Sequence, residues 1–197
     1  MMQFERFTER AQDAAMRAYE ILQRYGHIQV DVEHLLLALL EQPDGIVGQI
    51  LERMGVDVEA MKKRLDAILS NTPKAAAGVY NFGAPGQVFI TPRLKFAFDR
   101  AQDEANRLKD EYVSTEHIFL GMLSEKNSPT GRLLLDAQVT KPKVEETLAE
   151  IRKGGAAASA NTENRYRTLA KYSRDLTQLA REDKLDPVIG RDEEILR

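Results

Sequence analysis

The 197-residue sequence contains no cysteine and no tryptophan. Without cysteine there is no disulfide, no thiolate nucleophile and no zinc site built on thiolate. Three histidines, His27, His34 and His117, remain as nitrogen ligands, so no metal centre is expected. An excess of positive charge is missing too: 28 Lys and Arg face 31 Asp and Glu, a net charge of -3. No basic surplus exists to neutralise phosphates, which argues against a nonspecific grip on nucleic acid. No stretch approaches the length of apolar run a membrane helix needs. The opening, Met1 to Gln12, is charged from Glu5 onward and has no apolar core of signal-peptide length. A cytoplasmic location is the expectation, with no membrane partner. Absent as well are the phosphate-binding loop G-x-x-x-x-G-K-[ST] and the nucleophile elbow G-x-S-x-G, so neither nucleotide hydrolysis nor serine catalysis is expected of these residues.

What is present is a repeat, offset by 83 residues without a gap. Thr8 and Arg10 return as Thr91 and Arg93, and Val30, Glu33 and His34 return as Val113, Glu116 and His117. Farther on, Gly48, Leu51, Val56, Leu65 and Ile68 are answered by Gly131, Leu134, Val139, Leu148 and Ile151. Apolar positions recur for packing alone, whereas Thr8, Arg10, Glu33 and their twins are polar and point to function.

Each copy reads as four helices. Thr8 precedes an amphipathic run to Tyr25, closed by Gly26, with Arg10, Arg17 and Arg24 at helical spacing. Glu33 to Leu40 is apolar nearly all round and should be the buried centre of its repeat. Ile46 to Met54 and a stripe from Val58 to Leu69 follow. The second copy places helices at Thr91 to Leu108, Ser114 to Leu123, Thr130 to Ala137 and Lys143 to Ile151. Pro92 suits the first helical position, which makes Thr91 an N-cap and, by register, Thr8 as well. Ser70 to Val88, with two prolines and three glycines, is a loop. The expected fold is all-α: two pseudo-twofold repeats of four helices, about 4–70 and 88–152, packed into one domain over 1–152. Gly154 to Asn161 is small and uncharged, so 153–164 reads as a flexible linker, and 165–197 is too short to bury a core alone.

These residues carry a family resemblance. Phe7-Thr8-Glu9-Arg10-Ala11 and Thr91-Pro92-Arg93, each followed by Val32-Glu33-His34-Leu35 or Ser114-Thr115-Glu116-His117-Ile118, resemble the N-terminal repeat domain of the Clp AAA+ unfoldases. Leu185-Asp186-Pro187-Val188-Ile189-Gly190-Arg191 is similar to the entrance of that family's first AAA+ module, truncated here. The Ser-Thr-Glu-His form is similar to the ClpC type more than to the disaggregase ClpB. The resemblance implies a non-catalytic domain that recognises substrates and adaptors for an ATP-driven unfoldase feeding a peptidase. It also implies a hexamer using ATP and magnesium when full-length, no cofactor in this chain, and an isolated domain that is a monomer. In the alternative, the domain serves a ClpB-type disaggregase binding aggregated substrates, or is a plain helical scaffold.

Thr8 and Thr91 have a bland role as N-caps, worth roughly 1 kcal/mol each. A helix start with free amides can also hold a phosphate, strengthened by Arg10 or Arg93. Glu33 and Glu116 match the helix dipole. By resemblance they would instead take the guanidinium of a phosphoarginine ligand whose phosphate sits at the Thr. Copy one has Asp31-Val32 where copy two has Ser114-Thr115, and the extra carboxylate of Asp31 weakens a phosphate site, so Glu116 with Thr91 is the preferred pair. His34 and His117 read as buried core residues. Phe7 and Ile90 read as hydrophobic staples before the caps. Phe4 and Ile90 are candidate adaptor or peptide contacts, and Val188 and Ile189 would touch nucleotide only with the missing module attached.

Overall fold

Thr8 and Thr91 do begin helices. The computed structural model describes residues 6–74 and 89–152, all within one compact unit, Met1–Asn164. The described residues form α1 (Glu9–Tyr25), α2 (Val32–Glu41), α3 (Ile46–Arg53), α4 (Val58–Asn71), α5 (Pro92–Leu108), α6 (Thr115–Met122), α7 (Pro129–Asp136) and α8 (Lys141–Arg152). The all-α reading holds. α7 and α8 start one and two residues earlier than the apolar pattern predicts, because Ser128 caps α7 ahead of Pro129 and Pro142 fits the first turn of α8.

Every residue from Val32 to Leu40 in α2 and from Thr115 to Met122 in α6 is buried. These two helices are the centres of their repeats, as their lack of a polar face predicts. α1 and α5 pack beside them with one face in water. Gly121 lets α6 approach α5 closely: a Cβ there would sit 2.3 Å from the Ala97 carbonyl oxygen. α1 stops at Gly26, whose φ of 70° supplies the left-handed turn of the C-cap.

The repeats exchange their starts. Phe7 bridges to Val113 and Ile90 bridges to Val30, two short parallel contacts at equivalent positions. The Thr8 amide donates to the Val113 carbonyl at 3.0 Å, and the Thr91 amide to the Val30 carbonyl at 2.9 Å. The beginning of α1 therefore lies on the second repeat and the beginning of α5 on the first. This overturns the staple reading of Phe7 and Ile90. The positions a staple would pack against are Gln12 and Lys95, both polar, and Phe7 instead meets Phe98 of α5 edge-on at 5.8 Å. The linker, the tail and the boundary at 152 lie at or beyond the end of the described residues.

Candidate functional site

Both threonines cap. Thr8 accepts from the Ala11 amide at 3.2 Å and Thr91 from the Leu94 amide at 3.1 Å. Thr91 also donates its hydroxyl to Asp31 at 2.7 Å, and Arg93 pairs with the other Asp31 oxygen. Asp31, the N-cap of α2, thus clasps the start of α5 across the repeat boundary. Its carboxylate stands where a phosphate at Thr91 and Arg93 would stand. Arg10 reaches toward the carbonyls of Pro43 and Asp44 at 3.3 to 3.5 Å.

The glutamates are buried and differ from each other. Glu33 is 5% exposed and its Oε1 has no hydrogen-bond partner. Burial pushes its carboxyl up from the ordinary range, and the Asp31 charge adds to this. Its own backbone amide, then Arg93 and the Thr130 hydroxyl, pull the other way. That hydroxyl faces Glu33 without closing a hydrogen bond. Glu116 is fully buried and receives Arg152 at 2.7 Å, while Arg152 also reaches Asp110 at 2.6 Å.

The structure brings Thr91, Arg93 and Glu33 together with Asp31, and it does not bring Thr91 to Glu116. The preferred pairing is therefore corrected. Register shows which residues are equivalent, whereas the exchanged starts decide which meet. Asp110 and Arg152 are partners that the sequence reading missed, and Asp31, which it set beside the first-repeat pocket, lies instead on Thr91 and Arg93. The mismatch of Leu69 with Arg152 and of His27 with Asp110 at equal register was the available signal.

The histidines explain why Glu-His recurs. At the third helical position, His34 accepts from the Asp31 amide and His117 from the Ser114 amide, each at 3.0 Å, completing reciprocal capping boxes. Both are buried core residues as expected. Burial first, then the neighbouring His27, holds the His34 imidazole down at about 4.

A groove of about 630 Å³ runs between α1 and the start of α5. Its walls include Met16, Tyr19, Val30, Ile90, Leu94 and Phe98. Met16 is 69% exposed and Tyr19 37%, a placement of large apolar groups in water that marks binding surfaces. Ile90, a candidate peptide contact from sequence, lines this groove; Phe4, Val188 and Ile189 lie outside the described residues. A second cleft of about 670 Å³ between Met54 and Thr147 is charged and spanned by the Arg64–Asp136 pair at 2.7 Å. It offers no comparable apolar floor. No helix among the described residues is long and apolar enough to cross a membrane.

Residues 6–137 match the family described as the Clp repeat (R) N-terminal domain. The chain is 45% identical over 197 residues to the chaperone protein ClpB of Nitratidesulfovibrio vulgaris, covering 100% of this chain and 22% of that protein. It is 39% identical over 196 residues to ClpB of Rhodopseudomonas palustris, with the same coverage of both. The chain thus spans about a fifth of the length of these curated relatives, 22% in each. Among solved structures it is similar to the N-terminal domain of Hsp104 from Candida albicans, with a TM-score of 0.65 and 18% identity over 80% of this chain and 98% of that one. It is also similar to the ClpV N-domain solved in complex with a VipB peptide, with a TM-score of 0.56 and 18% identity over 74% of this chain and 86% of that one. These structural likenesses concern the fold.

Proposed function

This chain belongs to the Clp repeat N-terminal domain family, and we propose on that premise that it is the substrate-recognition module of a ClpB-type chaperone. It holds exposed apolar segments of unfolded or aggregated proteins in the groove between α1 and α5. The observation that carries this reading is the groove itself, whose apolar side chains from both repeats converge on one open channel. ATP and magnesium use, hexamer formation and a cytoplasmic setting belong to the longer protein in this proposal.

The expected preference for the ClpC type is not confirmed, since the curated relatives above carry the ClpB name. The Ser114-Thr115-Glu116-His117 run on which it rested is buried throughout and serves packing and capping. Delivery to a peptidase is therefore not part of the proposal. Phosphoarginine is a weaker fit than an apolar segment, because Asp31 already engages Thr91 and Arg93, and Arg152 already engages Glu116.

The test is fluorescence anisotropy of labelled, reduced and carboxymethylated lactalbumin against the 197-residue chain. Burying one methionine side chain is worth about 1.5 to 3 kcal/mol, and about 1.4 kcal/mol is tenfold in affinity. Met16→Glu should therefore weaken binding by roughly tenfold or more without changing the fold. Parent-like affinity in that variant rejects the groove.

A further inference from the structure

The sequence has no cysteine, so its thioethers are the readily oxidised sulfur in the chain. The described residues include four methionines, Met16, Met54, Met61 and Met122, and the fold places them differently. Met61 and Met122 are 3% and 0% exposed and belong to the core. Met54 is half-buried and packs against that core. Met16 stands 69% exposed on α1. An oxidant in solution therefore meets the Met16 sulfur in the folded chain and is kept from Met61 and Met122.

Met16 is also the methionine that lines the apolar groove. Tyr19 follows it on α1, and Leu35, Ile90, Leu94 and Phe98 share the lining. An apolar segment seated there covers Met16 and takes its thioether out of water. Oxidation to the sulfoxide puts a strong acceptor oxygen at that place. The side chains of Leu35, Ile90, Leu94 and Phe98 offer it no donor, nor does an apolar segment. Covering the oxygen leaves it unpaired, which opposes binding. The core does not hold the Met16 side chain, so the same change leaves the fold in place.

We propose that Met16 is an oxidation site at which hydrogen peroxide reversibly shuts the groove. The thioether sulfur attacks one peroxide oxygen, and the S–O bond forms as the O–O bond breaks. Sulfur is oxidised by two electrons, and the other oxygen leaves as water with both peroxide protons. In the reverse direction two thiols, used by a methionine sulfoxide reductase, return the thioether and yield a disulfide and water. This inference rests on the groove as the recognition site and adds regulation to it.

The experiment treats the 197-residue chain with millimolar hydrogen peroxide and removes the reagent. The sample is then divided between peptide mass mapping and anisotropy with labelled, reduced and carboxymethylated lactalbumin. Met16 should be sulfoxide while Met61 and Met122 stay reduced. Affinity should fall on the order of tenfold with helical circular dichroism unchanged. Methionine sulfoxide reductases of both epimer specificities, with dithiothreitol, should restore it. Met16→Leu, which keeps every other methionine, should hold whatever affinity it starts with through the same treatment. Met16→Gln, uncharged but polar, should bind as weakly before treatment as the oxidised parent does. The switch is overturned, with the groove left standing, by any of three results: Met61 and Met122 oxidised as fast as Met16, parent affinity unchanged once Met16 is converted, or an equal loss in Met16→Leu. No binding by the untreated chain refutes the recognition reading itself, and the switch with it.

Discussion

Replacing Asp31 with alanine should separate the two jobs of that side chain. It caps α2, worth about 1 kcal/mol. It also accepts the Thr91 hydroxyl at 2.7 Å, a bond worth about 1 kcal/mol. Its pair with Arg93 adds little, about 0.5 kcal/mol, because the arginine side chain is 40% exposed and screened. Asp31→Ala should therefore cost about 2.5 kcal/mol, or roughly 5 to 10 °C in melting temperature for a chain of this size. Asp31→Ser installs the residue that the second repeat carries at this register, Ser114. It keeps a cap while losing the clasp, and should cost about 1 to 1.5 kcal/mol. Thermal and urea unfolding followed at 222 nm reads both. The cross-repeat bond is isolated by adding Thr91→Val to each background, with an expected coupling of about 1 kcal/mol. If Thr91→Val costs the same with Asp31 present or replaced by Ser, the clasp contributes nothing and the account of the repeat interface is wrong.

Three further outcomes follow from buried groups and close contacts. The folded pKa of His34, about 4, lies below its unfolded value of 6.5, so the unfolded chain binds more protons between these values. The stability from keeping His34 neutral is complete above pH 6.5 and lost as pH falls toward 4, at most about 3 kcal/mol; an imidazole NMR titration with its midpoint near 6.5 would reject this. Glu33, whose carboxyl is raised by burial, costs stability when charged, so Glu33→Gln should melt higher at pH 7.5 and lose that advantage in acid. A lower melting temperature at pH 7.5 would show that Glu33 has a partner. Gly48 has open space where a Cβ would go, whereas a Cβ on its repeat mate Gly131 would sit 2.1 Å from the Glu125 carbonyl oxygen. Gly48→Ala should stabilise by about 0.5 to 1 kcal/mol and Gly131→Ala destabilise by about 1 to 3 kcal/mol or more, and equal urea midpoints for the pair would contradict it.

The helices were legible because their signals are local. Thr8, Thr91 and Pro92 announce starts, Gly26 announces a stop, and the unbroken apolar faces of α2 and α6 announce the centre of each repeat. Contacts between repeats were not legible, because an 83-residue offset says that Thr8 and Thr91 are equivalent without saying which repeat each will touch. The recurrence of Glu33 and Glu116 suggested an exposed site; burial shows that polar identity persists for internal reasons as well. His34 and His117 recur because a capping box needs an acceptor at that position, which explains half of each Glu-His pair. The groove was visible in sequence only through Ile90, since single exposed apolar residues such as Met16 and Tyr19 do not show in one dimension that they face the start of α5.

In the proposed recognition role, unfolded polypeptide enters the groove between α1 and α5. The most direct measurement is a two-dimensional NMR titration of the isotope-labelled 197-residue chain with reduced, carboxymethylated lactalbumin. Saturable shifts are expected at Met16, Tyr19, Ile90 and Leu94, with the Arg64–Asp136 cleft on the α4 and α7 side unchanged. Shifts confined to that cleft, or no saturable shift anywhere, would contradict the account.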